Sequence, residues 1–365
     1  MTEFVLKNEY IPLLGILWPG MRTPLSPLLP CGDRQEQDRI KTVLNPTGLL
    51  DSNGAIRAVY HPALEVISSP SWKIIVDIMR PDHFHAVTGY GARDPKKTFT
   101  HVMDETGTGR GYDIFTMQDI ISLGGLEENV PGAEAFPLDT TLSSSEAWVL
   151  AAIFDHERIS ALAAIAESST PNDVSLIPAI CTPSAAGNML SEFTQKPENF
   201  LFLGLLNSLE GSGGIFGIEQ IGKDLNSLEE KELIRKSGNG YEIMEHLVPM
   251  ARRSIFVDMA VTVRIDRADN GGPVLSESGF CIRADGTLLW FIRPLKSPEQ
   301  IILKYLPSDR FIEILHHLFE DRSYSLSGIK VVNSEKKIKT RFCSQCGTEL
   351  HAEAIFCNQC GYKFV

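Results

Sequence analysis

One passage of the chain occurs twice. A chain that repeats a helix-turn-strand block is constrained to build its body from two related halves. In the first copy, residues 34–45 read as a short helix ended by Asn45-Pro46. The turn Gly48-Leu49-Leu50-Asp51-Ser52-Asn53-Gly54 follows, and then the strand Ile74-Ile75-Val76-Asp77-Ile78. In the second copy a helix from Ile218 to Lys231 leads to Leu233-Ile234, a Ser237-Gly238-Asn239-Gly240 turn and a strand over Ser254 to Val261. The passages align as LLDSNGAI with LIRKSGNGYEI, with a short insertion in the second, and again as SWKIIVDI with RSIFVDMA. His61-Pro62 and His246-Leu247-Val248-Pro249 lie at matching places between the blocks. The alternative is chance similarity of two short patterns. True duplication predicts halves packed about a pseudo-twofold axis and sharing a central antiparallel sheet, with Trp72, Ile74 and Val76 turned into the core.

The surroundings of the copies also agree. The first continues through a strand at Phe99 to Asp104, the Gly-rich Gly107 to Gly111, and a helical Thr116 to Ser122. The second continues through Ser278 to Arg283, an Asp285-Gly286 hairpin signal, Leu288 to Ile292, and a helix from Ser308 to Glu320. That helix is apolar at Phe311, Ile314, Leu315 and Leu318. Between the copies the pattern is helical. Ser143-Ser144-Ser145-Glu146 reads as a helix start, Ala147 to Ala166 has helical spacing, and shorter helices span about 184–193 and 197–209. The opening residues 1–33 hold Pro12, Pro19, Pro24, Pro27 and Pro30, which argues for an extended segment. The expected fold class is α+β: two pseudo-symmetric halves sharing an antiparallel sheet with flanking helices. The expected order is an extended segment (1–33), a first half (34–140), a helical region (141–215) and a second half (216–327). A basic linker (328–341) and a small terminal metal module (342–365) complete it.

The tail carries the sharpest chemical signal. Four of the seven cysteines form two pairs, Cys343-Ser-Gln-Cys346-Gly347 and Cys357-Asn-Gln-Cys360-Gly361. Two CxxC turns on so short a stretch can aim four thiolates at one tetrahedral zinc ion. The glycine after each pair allows backbone N–H groups to approach the sulfurs. A disulfide pair or inert thiols are the bland alternative, and His351 could replace one thiolate. The segment 341–364 resembles the short zinc-ribbon family found at the ends of many bacterial and archaeal proteins. The resemblance implies structural zinc held by Cys343, Cys346, Cys357 and Cys360, with protein or nucleic-acid contact rather than catalysis.

Charge narrows the partners. The chain carries −12 in all. Residues 328–365 hold six Lys/Arg against three Asp/Glu, which leaves −15 on the first 327 residues. An acidic body repels phosphate backbones, so nucleic acid is disfavoured for it. The longest apolar run, Ala147 to Phe154, is far short of a membrane span, and the N-terminus lacks a secretory pattern. The expectation is a cytoplasmic chain with a protein partner; nothing in the sequence sets an oligomeric state.

Weaker constellations remain. The order helix, helix, Gly-containing turn over 200–241 resembles the winged-helix module of transcription regulators. The presumed recognition helix offers Lys223, Asn226 and Lys231 but also Glu219, Asp224, Glu229, Glu230 and Glu232. The glycines at 107, 109 and 111 could cradle a phosphate, yet the P-loop Lys-Ser/Thr is missing and a hairpin loop is the simpler reading. His83, His85 and His101 on neighbouring strands, with Arg110, would be the centre of an enzyme if they converged. Cys31, Cys181 and Cys281 are isolated and read as buried structural thiols. The duplicated Leu-Leu-Asp-x-x-Gly turn followed by a strand, in a pseudo-twofold sheet flanked by helices, is similar to the secretion-associated chaperones of type VII secretion systems. That resemblance spans most of residues 34–320 and implies a cytosolic, non-enzymatic binder of secreted proteins. The functional expectation is therefore a protein-binding adaptor or chaperone-like protein with a structural zinc ribbon. A transcriptional regulator using residues 200–241 is the alternative.

Overall fold

The computed structural model describes residues 3–5, 7–20, 22–92, 98–104, 109–112, 138–167, 178–210, 217–257, 259–268, 274–284, 287–295, 297–320, 325–326, 340–342 and 349–351. In the first half, β1 (Glu3–Val5), α1 (Tyr10–Leu17), α2 (Arg34–Leu44) and α3 (His61–Ser68) precede four strands. These are β2 (Trp72–Met79), β3 (Phe84–Gly91), β4 (Thr98–Asp104) and β5 (Gly109–Tyr112). The second half opens with β6 (Asp139–Ser143), α4 (Ser144–Glu167), α5 (Pro183–Phe193), α6 (Phe202–Glu210) and α7 (Ile218–Glu230). A hairpin of β7 (Ile234–Ser237) and β8 (Gly240–Ile243) and the short α8 (Val248–Arg253) follow. Then come β9 (Met259–Ala268), β10 (Val274–Ala284), β11 (Thr287–Arg293), β12 (Gln300–Pro307) and α9 (Ser308–Glu320).

Ten strands form one antiparallel sheet in the order β1-β5-β4-β3-β2-β9-β10-β11-β12-β6. The two four-strand meanders meet at β2 and β9, paired antiparallel with Val76 opposite Val263. Each meander ends on its own half's opening strand: β1 adds to β5, and β6 adds to β12. The strand order is thus pseudo-twofold symmetric about the β2–β9 seam, as two related halves would build it. The repeated turns also match in detail. Leu49 and Leu233 are both buried. Their carbonyls accept from Arg57 N–H and Met244 N–H at the ends of equivalent loops. In the first copy the Asp51 carboxylate accepts from Asn53 N–H (2.8 Å) and Ala55 N–H (3.0 Å), and Gly54 takes φ of +73°, which a residue with a Cβ adopts only with strain.

The faces of the sheet are covered differently. Strict alternation on β2 turns Trp72, Ile74, Val76 and Ile78 to one face, where they join Val261, Val263, Trp290 and the α9 residues Phe311 and Leu315. On the other face α1 to α3 pack around Tyr90 and Phe99 at one end. Helices α4 to α8 pack around Phe280, Leu289, Phe291 and Leu303 at the other. Between the two helical groups lies the seam.

Two local expectations change. The Pro-rich opening is not wholly extended: α1 forms because Pro12 falls in its first turn, where the missing N–H would have no partner in any case. The second-copy strand begins at Met259, not Ser254, since Ser254–Phe256 continues α8 as a 3₁₀ turn with Ser254 Oγ donating to the Ala251 carbonyl (2.5 Å). The anticipated helix at 116–122 lies outside the described residues.

Candidate protein-binding site

The alternation that buries Ile74, Val76 and Ile78 against α9 leaves Lys73, Ile75, Asp77 and Met79 on the opposite face of β2. Across the seam Arg264, Thr262 and Ala260 stand opposite Ile75, Asp77 and Met79. Two cavities lie end to end along these strands. One, about 830 Å³, is walled by Met79, Phe200, Leu205, Ile255 and Val257, with Arg80 and Arg158 at its rim. The other, about 430 Å³, is lined by Asp77, Ser208, Thr262, Arg264, Ser276 and Ser278. Helix α6 borders both, through Leu205 in the first and Ser208 in the second, so they form one trough with an apolar and a polar end.

Helix α6 is held rigidly as the wall. Asp155, fully buried on α4, accepts Leu201 N–H and Leu203 N–H, each at 3.0 Å, and so caps α6 from a neighbouring helix. Burial pushes its pKa up, opposed by these N–H groups and by Arg158, 3.2 Å away. Arg158 also donates to the Asn199 carbonyl (2.8 Å), and Phe154 stacks on Phe202 at 4.9 Å between ring centres. On the trough floor, burial pushes the Asp77 carboxyl up, while Thr262 Oγ1 donates to it at 3.1 Å. Burial lowers the Lys73 pKa, and its ammonium lies 5.8 Å from the Tyr90 ring. Arg264 pairs with Asp266 at 2.9 Å, and Ser276 donates to the same carboxylate at 2.6 Å.

The zinc ligands anticipated at Cys343, Cys346, Cys357 and Cys360 lie outside the described residues. The strands around the first pair are described. β13 (Thr340–Phe342) and β14 (Glu349–His351) pair antiparallel with Phe342 opposite Glu349, bracketing the segment that holds Cys343 and Cys346.

Of the three histidines, His83 and His85 come together, with ring centres 5.2 Å apart, but His101 does not join them. Val87 and Val102 pair directly across β3 and β4, which places His85 on their face and His101 on the other. Arg110, opposite Val102, is on the His85 side, and His83 pairs with Asp82 at 2.8 Å. No cluster of three metal-binding side chains exists among the described residues. Of the isolated cysteines, Cys181 and Cys281 are buried, with thiol pKa values pushed far up by burial, whereas Cys31 is exposed. Of the Gly-rich loop, Gly109 to Gly111 belong to β5. The winged-helix order is present, but α7 turns Ile221, Leu225 and Leu228 inward and pairs Lys223 with Glu219 at 2.9 Å. Its neighbours on the outer face, Glu219 and Glu230, leave little to attract phosphate.

No helix among the described residues is long and apolar enough to cross a membrane. No protein-family model matches the chain, and no curated protein does. Among solved structures the chain is similar to the Mycobacterium tuberculosis type VII secretion system chaperone EspG5, solved in complex with a PE25-PPE41 dimer. The likeness is 11% identity with a TM-score of 0.43, over 90% of this chain and 97% of that one.

Proposed function

We propose that this chain is a chaperone-like, protein-binding adaptor whose seam trough receives a segment of its partner. The observation that carries the reading is the trough itself: among the described residues, an apolar cavity of about 830 Å³ lies open beside the buried core, continued by a polar one on the same strands. Apolar surface that the described residues leave uncovered, in a fold that buries the other sheet face, is surface kept for an occupant. Cys343, Cys346, Cys357 and Cys360 hold a structural zinc ion in the terminal ribbon, which gives the adaptor a second contact module. The sequence resemblance to type VII secretion-associated chaperones supports a secreted protein as the partner class.

The test is site-specific photo-crosslinking in the source cell. A photoreactive residue at Leu205 or Val257 should give one discrete protein adduct. The same residue at Val43, exposed on α2, should give none. Equal adducts from all three positions, or none from the trough positions, would remove the reading.

A further inference from the structure

The polar end of the trough contains a carboxylate that forms no ion pair among the described residues. Asp77 is half-buried and lines the cavity of about 430 Å³. Among the described residues its carboxylate receives one side-chain hydrogen bond, from Thr262 across the seam. The cations nearby on the same face are committed elsewhere. Arg264 is tied to Asp266 at 2.9 Å, Arg293 donates to the Pro298 carbonyl at 2.9 Å, and Lys73 leans toward the Tyr90 ring. The other polar groups of the cavity are Arg293 and the hydroxyls of Ser208, Thr262, Ser276 and Ser278. A desolvated carboxylate without a cation is costly, and an incoming ammonium or guanidinium relieves that cost. Met79, two positions along β2, lies about 7 Å away by strand geometry and lines the apolar cavity.

Resting on the trough reading above, we infer that the partner segment carries a lysine or arginine beside its apolar residues. Its cation pairs with Asp77 while the apolar side chains enter between Met79, Leu205 and Val257. The charge of the body points the same way, because −15 on residues 1–327 steers basic segments toward it. Arg264 and Arg293, which also line the cavity, set the limit: they exclude a second cation, so one basic residue fits rather than a basic run.

Fluorescent peptides with a common apolar core followed by Arg, Gln or Glu test this by anisotropy. On the wild-type chain the Arg peptide should bind about tenfold tighter than the Gln peptide, with the Glu peptide weakest. On Asp77→Asn, which keeps an acceptor for Thr262, the Arg and Gln peptides should become equal. Leu205→Asp should abolish binding of all three. If Leu205→Asp abolishes binding but Arg and Glu peptides bind alike, or Asp77→Asn changes nothing, the charge inference is overturned and the trough stands. If no peptide binds, or Leu205→Asp has no effect, both fall.

Discussion

Replacing Glu146 should loosen the second half at the point where α7 is fastened to α4. Its carboxylate accepts Ser143 N–H (2.6 Å), the Lys231 ammonium (2.6 Å) and the Ser227 hydroxyl. Glu146 N–H in turn donates to Ser143 Oγ (3.2 Å), completing a capping box at the start of α4. The Glu146 side chain is 7% exposed and that of Lys231 28%. Removing one partner of a fully buried pair costs about 3–5 kcal/mol. Lys231 can rehydrate in part, so Glu146→Ala should cost about 2–3 kcal/mol. Glu146→Gln keeps the shape and an acceptor and should cost about 1–2 kcal/mol. Burial alone would raise the Glu146 pKa, but the bonds from Lys231, Ser227 and Ser143 outweigh it and hold the carboxyl below its usual 4.5. A carboxyl depressed in the folded state contributes stability above its unfolded pKa and loses it as pH falls through the folded one. Urea unfolding followed by circular dichroism should therefore show the wild-type advantage over Glu146→Gln at neutral pH shrinking below pH 4.5. A Gln variant as stable as wild type at neutral pH would show that the carboxylate does not fasten α7.

Asp224 should behave oppositely. It is 4% exposed, its Oδ2 lacks a hydrogen-bond partner among the described residues, and burial raises its pKa with help from Glu146, so the folded state favours the protonated form and loses stability as pH rises through the raised value. Asp224→Asn should be more stable than wild type at neutral pH by about 1 kcal/mol in urea titration and equal to it in acid; a destabilised variant would refute this. Gly91→Ala places a Cβ 2.0 Å from the Trp72 indole and should lower the melting temperature, equivalent to about 1–3 kcal/mol, with Trp72→Phe in the same chain recovering part of the loss. Metal analysis of unchelated protein should give about one zinc per chain, and Cys346→Ser should abolish it without moving the melting transition of the body. Zinc content near zero in the wild type would remove the ribbon from the account.

Much of the architecture could be read from the repeated blocks. The strands β2 and β9 carry the same apolar alternation because both lie at the seam and bury one face against α9. The turns at 49–56 and 233–243 kept their leucines because both close over buried positions. The edge strands β1 and β6 could not be read, since a strand of three to five residues is decided by the neighbour it joins and not by its own pattern. Proline at 12 misled because its cost depends on its place in a helix, which only the fold sets. His85 and His101 lie on adjacent strands as expected, with His83 just before β3, but the register sends His101 to the far face. The trough left no local signal. Asp77 and Thr262 are 185 residues apart in sequence, and each reads alone as an outward polar residue of a half-buried strand. Its wall, α6, reads as an ordinary apolar helix; Asp155, which caps it, comes from a different helix.

The proposed seat of a protein partner is the seam trough. Hydrogen exchange of the chain alone and of its purified complex measures this directly. Binding should slow exchange in Phe200–Leu209 and in Ile255–Arg264, while the outer face of α7 and the β7–β8 hairpin exchange as before. Protection confined to α7 and that hairpin, with the trough unchanged, would contradict it.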